Sequence, residues 1–344
     1  MTVNLVEAWE RLKQDQPGIR IRNAASALGV SELELLSTRI GLDVVLLKGS
    51  AQEILARIPS LGRVMALTRN EHCVIECKGV YQNPLLDKAH AGVFVGEDID
   101  LRMFFQFWHY ALAVTEQSEH GIRKSLQFFN QYGEAVHKIY LLAESETAGY
   151  DEILATYGTG GTVDVPVLER QSPAEEAIPD ALIDVESFRH EWISLRDTHE
   201  FLPLLHKYGL TRIQALRLAP VGGYALQVPV GIATEIIRLA AASGIPIMLF
   251  AGNKGMLQIY SGEVHKIVDH GEWFNILDPK LNLHLRPSGI DQCWIVRKPT
   301  NDGIITGIEC YDSQGELVLQ IFGKRKPGVP ELEAWRNIVE QFEL

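Results

Sequence analysis

Two residues carry the type and the neighbours that metal or anion chemistry needs. His199 stands in LRDTHEF (195–201), after Asp197 and just before Glu200. Asp197 followed three positions later by Glu200 has capping-box form, which places His199 in the first turn of a helix. The positive end of the helix dipole disfavours imidazolium there and favours the neutral ring, whose lone pair can bind a metal. Pro203 has no amide to return to the His199 carbonyl, so the spacing predicts a helix that distorts there or begins later. Arg102 stands in LRMFF (101–105), where alternation predicts a strand carrying Arg102, Phe104 and Gln106 on one face. A guanidinium is always protonated, so it ligates metal poorly but donates hydrogen bonds well. Plainer roles exist for both: His199 as a surface or capping residue, Arg102 as a strand arginine paired with Asp100. His72, His109, His137 and His265 compete as ligands and are read as structural or surface residues.

Composition narrows the chemistry. The 344 residues carry a formal net charge of −12, with 46% hydrophobic and 22% charged residues. Bulk electrostatics therefore disfavour nucleic acid and anionic membranes, and an anionic ligand needs a local group of cations. The start, MTVNLVEAWERLKQ, lacks the basic and apolar regions of a secretory signal. The most apolar stretch, 228–250, is broken by Glu235 and Arg238 and reads as an amphipathic helix followed by a strand. Cys73, Cys77, Cys293 and Cys310 are too sparse for a disulfide framework and fit a reducing cytosol. No phosphate-binding loop, nucleophile elbow, zinc helix or C-x-x-C-H haem attachment motif is present.

The elements that must position these residues are written twice. Residues 98–114 match 280–296, and 128–140 match 310–322, both at an offset of 182, with Gly133 on Gly315 and Glu134 on Glu316. Around 63–65 and 245–248 the match needs one extra residue. Two similar halves, 1–160 and 184–344, are expected around a connector at 161–183, marked by the Pro, Gly and charged residues of TGGTVDVPVLERQSPAEEAIPD (159–180). Each half begins with helices, expected around Trp9, at 24–38 and at 51–58 in the first. Each ends in short strands, expected at 74–76, 93–95, 101–107, 110–114, 126–129 and 136–141. Consecutive strands without alternating helices predict antiparallel sheets and an α+β fold. In the repeat, Arg102 falls on His284, so the duplication is asymmetric at this position.

The segments RNEHCVIECKGVY (69–81), DIDLRMFFQFWHYALAV (98–114), SLQFFNQYGEAVHKIYL (125–141), LRDTHEFLPLLHKYGLTRIQALRLAP (195–220), WIVRKPT (294–300) and FGKRKPGVPE (322–331) together resemble the HemS/HmuS-type haem-degrading and haemin-transport proteins of the bacterial cytoplasm. The likeness runs through both halves in order. It implies two tandem repeats, each a large antiparallel sheet with flanking helices, and haem held in a cleft between the halves. By the same resemblance His199 is the axial ligand of the haem iron, and Arg102 lies on the other face with Phe104 against the porphyrin. Arg212, Lys298 and Arg325 meet the propionates, and Gln320 and Phe322 line the pocket. Arg297, Lys324 and Lys326 stay open as alternatives, because a one-residue error flips the side. His109 is a spare group near Arg102. Leu202 departs from the pattern, where a second aromatic is expected after the histidine.

Two functional readings follow and stay open. In the first, His199 and Arg102 are catalytic and the protein degrades haem (iron protoporphyrin IX), opening the tetrapyrrole and releasing iron. No flavin or nicotinamide motif is seen, so the electrons come from an external donor. In the second, the protein is a haem chaperone or store that delivers haem to a separate haem oxygenase. The resemblance implies an inner-membrane haem importer, a reductase or a haem oxygenase as partners, no nucleic acid, and a monomer or homodimer.

Overall fold

The computed structural model describes residues 2–118, 121–160, 168, 169, 177–326 and 328–343. Most of the expected connector lies outside these residues. The chain divides into two compact units. Unit 1 comprises Met1–Arg69, Glu76–Ser172 and Gly252–Gln258; unit 2 comprises Asn70–Ile75, Pro173–Ala251 and Ile259–Leu344.

In the first part of the chain the elements run α1 (Thr2–Asp15), α2 (Ile21–Leu28), α3 (Glu32–Ser37), β1 (Val44–Leu47), α4 (Ala51–Leu55), β2 (Arg63–Arg69), β3 (Cys73–Val80), β4 (Pro84–Leu85), β5 (Ala91–Val95), β6 (Asp100–Phe104), β7 (Tyr110–Ser118), β8 (Gly121–Phe129), β9 (Ala135–Leu141) and α5 (Thr147–Tyr157). The helix expected at 24–38 is two helices. Gly29 takes a left-handed conformation (φ 67°) that ends α2. Ser31 then opens α3 through a capping box with Glu34. The strand expected at 101–107 ends at Phe104, and Gln106 falls in a 3₁₀ turn, Phe105–Phe107, where it is exposed. The reason is packing. Phe105 turns inward onto Gly92, where a Cβ would lie 2.7 Å from its ring, and Trp108 is buried with its indole nitrogen bonded to the Gly255 carbonyl at 2.8 Å.

The second part runs α6 (Val185–Ile193), a 3₁₀ turn (Thr198–Glu200), α7 (Phe201–Tyr208), α8 (Arg212–Arg217), β10 (Ala225–Val228), α9 (Ile232–Ala242), β11 (Ile247–Asn253), β12 (Met256–Gly262), β13 (Ile267–His270), β14 (Trp273–Leu277), β15 (Leu281–Leu285), β16 (Gln292–Thr300), β17 (Gly303–Tyr311), β18 (Leu317–Gly323) and α10 (Glu333–Glu340). The amphipathic helix and strand expected in 228–250 are α9 and β11. Among the described residues no helix is long and apolar enough to cross a membrane.

Strand order shows the duplication directly. One run is β1-β7-β8-β9-β2-β3, and its counterpart is β10-β16-β17-β18-β11-β12. Register repeats with the order. Leu112 opposite Gln127 and Gln127 opposite Lys138 correspond to Trp294 opposite Glu309 and Glu309 opposite Gln320, each 182 residues later. Met65 opposite Tyr140 corresponds to Met248 opposite Phe322, which is the one extra residue expected from the sequence. The hairpins are copies as well. The Asn130 and Asp312 side chains each accept two backbone N–H groups across their turn, and Gly133 and Gly315 hold φ of 80° and 77°.

In each unit the helices pack on strands of the same unit. In unit 1, Leu33 and Leu36 of α3 meet Val44, Leu112, Val114 and Phe129. In unit 2, Phe188, Trp192, Phe201, Leu204, Leu205 and Leu216 of α6–α8 meet Trp294, Val296 and Tyr311. Burying apolar side chains of this size is the dominant favourable contribution to folding.

Candidate functional site

The sheet of unit 2 presents one face whose composition changes along its length. Alternation puts Trp294, Val296 and Lys298 of β16 on that face. Register adds Tyr311, Glu309 and Gly307 of β17, Gln320 and Phe322 of β18, and Phe250 and Met248 of β11. Helices α6–α8 cover the Trp294, Val296 and Tyr311 part. The rest is a polar group followed by a half-buried apolar patch of Phe250, Phe322 and Met248. The Phe250 and Phe322 rings meet edge to face, with centroids 5.2 Å apart. Gly307 makes this possible, because a Cβ there would lie 2.3 Å from the Phe322 ring.

The polar group centres on Glu309, which is wholly buried. Its carboxylate accepts from Lys298 Nζ at 2.6 Å, from Gln320 Nε2 at 2.9 Å and from the Tyr311 hydroxyl, and Arg212 lies 4.0 Å away. The Lys298 ammonium also sits 4.4 Å from the centre of the Phe201 ring. Burial pulls the Glu309 carboxyl up, but Lys298, Arg212 and the donated hydrogen bonds outweigh it and bring it down to about 2. Lys298 is therefore no solvated strand cation. Its alternative, Arg297, points to the other face, donating to the Gly223 carbonyl at 2.7 Å and pairing with Glu343.

His199 lies where the capping box predicts, and Pro203 has the effect expected of it. The chain makes the Thr198–Glu200 turn first, and α7 begins at Phe201, so Pro203 falls in its first turn, where no amide is needed. Asp197 Oδ1 accepts from the His199 backbone N–H at 2.8 Å and lies 2.6 Å from its Nδ1. Glu200 closes the box by accepting from the Arg196 and Asp197 backbone. A carboxylate can only accept, so Nδ1 donates to it, and in the neutral tautomer this selects, Nε2 is the nitrogen that carries the lone pair, on a side chain 89% exposed. This carboxylate–imidazole arrangement is the usual support for a metal-ligating histidine. The His199 N–H holds the Asp197 carboxyl below its ordinary range, and Arg325 assists. Arg325 also lies 3.7 Å from Asp302. The segment is tied to the end of β16 by the Asn301 amide, which donates to the Arg196 carbonyl at 2.9 Å. Leu202 is exposed.

Unit 2 thus brings Arg212, Lys298 and Gln320 together around Glu309, with Phe322 on the same face and Arg325 near the Asp197 that supports His199. Arg102 and Phe104 belong to β6 of unit 1. Arg102 is one-third exposed, pairs with Asp100 and donates to the Leu101 carbonyl at 3.0 Å; Phe104 is half-buried. Among the competing histidines, His137 is buried between Thr68 and Tyr81, and His72 lies between Arg286 and Asp312. His109 and His265 are exposed. Among the described residues no three His, Cys, Asp or Glu side chains gather as a metal site. Two residues escaped the sequence reading. Asp197 was visible only as a cap, and Glu309, in IECYD, becomes legible only when β17 is laid in register beside Lys298.

The family model described as the haemin-degrading HemS.ChuX domain matches residues 29–157 and 209–342. The chain belongs to this family. The two HemS.ChuX stretches begin at Gly29 and Gly209, the left-handed glycines that end α2 and α7 (φ 67° and 63°). The haemin transport protein HemS of Yersinia enterocolitica is 35% identical over 338 residues, 98% of this chain and 96% of its own. Holo-PhuS, a haem-binding protein from Pseudomonas aeruginosa, superposes with a TM-score of 0.95 at 41% identity, covering 99% of each chain. The haem-degrading enzyme ChuS of Escherichia coli O157:H7 gives 0.92 at 32% identity, again over 99% of each.

Proposed function

We propose that this protein binds haem through Nε2 of His199 and degrades it during haem uptake, opening the tetrapyrrole and releasing iron. The observation that carries the reading is the Asp197–His199 pair, which engages Nδ1 with a carboxylate and presents Nε2 on a side chain 89% exposed. The neighbouring sheet face fits the rest of the molecule. Phe322 and Phe250 offer aromatic surface, and Arg212, Lys298, Gln320 and Arg325 offer donors for carboxylates. Family membership and the haem-related names of the three relatives support it.

Bound haem supplies the redox-active iron, and an external donor supplies the electrons. His199 holds the iron and Asp197 keeps the imidazole in one tautomer and orientation. Phe322 and Phe250 exclude water from one side of the ring. By the resemblance, Phe104 would pack against the porphyrin and Arg102, a permanent hydrogen-bond donor, would be the residue that orients a small polar ligand there. The resemblance implies a cytoplasmic protein, with an inner-membrane haem importer, a reductase or a haem oxygenase as candidate partners.

The carrier reading has one observation in its favour: identity is higher to the haem-binding PhuS, 41%, than to the haem-degrading ChuS, 32%. Incubating the haem complex with reductant and catalase separates the two. Several turnovers to one tetrapyrrole isomer with catalase present support the enzyme. Loss of haem only once, with mixed products and abolished by catalase, supports the carrier. No change in the haem spectrum on adding the protein contradicts both.

A further inference from the structure

The charge of the Glu309 group differs from that of its twin in the repeat. In unit 1 the positions of Glu309, Gln320 and Lys298 are held by Gln127, Lys138 and Glu116, on strands in matching register. Arg212, first residue of α8, corresponds to Glu32, first residue of α3; each follows a capping residue, Thr211 or Ser31. Unit 1 is closed on itself, because Lys138 pairs with Glu32 and Glu116 with Arg123, one cation to each anion. Unit 2 is not closed. Lys298 and Glu309 form one buried pair, neutral wherever their shared proton sits, and Arg212 adds a charge that Glu309 faces only at 4.0 Å. Tyr311 and Gln320 complete the surroundings of Glu309 and are neutral. The wall carries one net positive charge, on a guanidinium whose side chain is still 29% exposed.

We infer that Glu309 is a specificity-determining residue that limits this wall to one net positive charge, so that it takes a single carboxylate arm of the ligand and leaves the second arm without a partner there. The inference rests on the haem reading given above. Glu309 acts by occupation: it already accepts from Lys298, Gln320 and Tyr311, so an incoming carboxylate competes for donors and finds Arg212 as the one charge left over. A second carboxylate in the same place would leave the buried group with a net negative charge, which a low-dielectric site opposes. Without Glu309, the same side chains would form a wall with all its donors open to the ligand.

The test is a titration of the intact protein with iron protoporphyrin IX, its monomethyl ester and its dimethyl ester, read by the haem absorption band and by tryptophan quenching. The wild-type protein is expected to bind the monoester within about threefold of the diacid. The dimethyl ester should bind at least about tenfold more weakly, the loss of one charge-assisted hydrogen-bonded contact. In Glu309→Gln the penalty for esterifying both arms should grow, because the arm gains donors that Glu309 held. A monoester as weak as the dimethyl ester, or a dimethyl ester as tight as the diacid, overturns the inference while the haem reading stands. So does an unchanged or smaller dimethyl ester penalty in a folded Glu309→Gln variant. The wild-type ester series decides the matter by itself if that variant does not fold. No spectral change with iron protoporphyrin IX itself would overturn the haem reading, and this inference with it.

Discussion

At the scale of single residues the site depends on which atom of each side chain is left free. His199 was singled out by the family resemblance, since the capping sequence alone also suits a surface or capping residue, and Asp197 was read only as a backbone cap. The structure gives it a second task, holding Nδ1. Removing the acceptor charge in Asp197→Asn should weaken haem binding about tenfold to a hundredfold, the usual cost of losing the partner of a ligating histidine. Equilibrium titration checks this, and affinity equal to wild type would mean that Asp197 is a cap alone. His137 gives an independent prediction about stability. It is wholly buried between Thr68 and Tyr81, and burial pulls its imidazole down to about 3. The unfolded chain therefore binds a proton that the folded one refuses. Stability is full above the unfolded value near 6.5 and falls as pH drops toward 3, by at most about 1.4 kcal/mol per unit from this group. Urea unfolding at pH 7, 5 and 4 should show the midpoint falling, and a folded His137→Gln variant should show a shallower fall. Equal slopes would remove His137 from the account.

At the scale of elements, the strands were legible because period-two alternation survives in both copies, and the hairpins because Gly133 and Gly315 stand where a positive φ is needed. The helix expected at 24–38 was misread for a local reason. The apolar periodicity continues through a glycine whose left-handed conformation ends one helix, and the capping box at Ser31 starts another. The strand expected at 101–107 was overextended because its alternation continues in composition after Phe105 has turned inward. Glu309 was missed because a lone carboxylate in a strand says nothing until its neighbours across the sheet are known. Gly307 provides the element-scale test. A methyl there meets the Phe322 ring at 2.3 Å, so Gly307→Ala should displace that ring or bow the strand, costing about 1–3 kcal/mol. Chemical denaturation measures the cost and the haem absorption band reports the ring. A variant as stable as wild type with an unaltered band would show that Phe322 does not depend on this close approach.

At the scale of the whole molecule, the fold was legible because the chain repeats itself. An offset of 182, shifted by one residue at β2 and β11, runs from sequence into strand register. What the offset does not carry is function. Glu32, Gln127 and Lys138 in one unit answer to Arg212, Glu309 and Gln320 in the other, and His284 answers to Arg102. The same sheet therefore closes its charges in one copy and leaves a cation in the other. A ligand that binds only the folded chain stabilises it by mass action. Haem at about 100 times its dissociation constant should add about 2.7 kcal/mol, visible as a rise in Tm that grows with haem concentration. Arg102→Ala should leave most of that rise in place while reducing turnover, because its proposed partner is a small molecule on the haem and not the porphyrin itself. Loss of both together would make Arg102 a binding residue.

The central claim is that His199 holds the iron, and it is tested most directly by titrating haemin into wild type and His199→Ala while following the absorption maximum and the rate of haem transfer to apomyoglobin. The maximum should shift in His199→Ala, and haem should leave it at least about tenfold faster, the loss of a metal–imidazole bond. Superimposable spectra and equal transfer rates would contradict the assignment and place the iron ligand elsewhere in the chain.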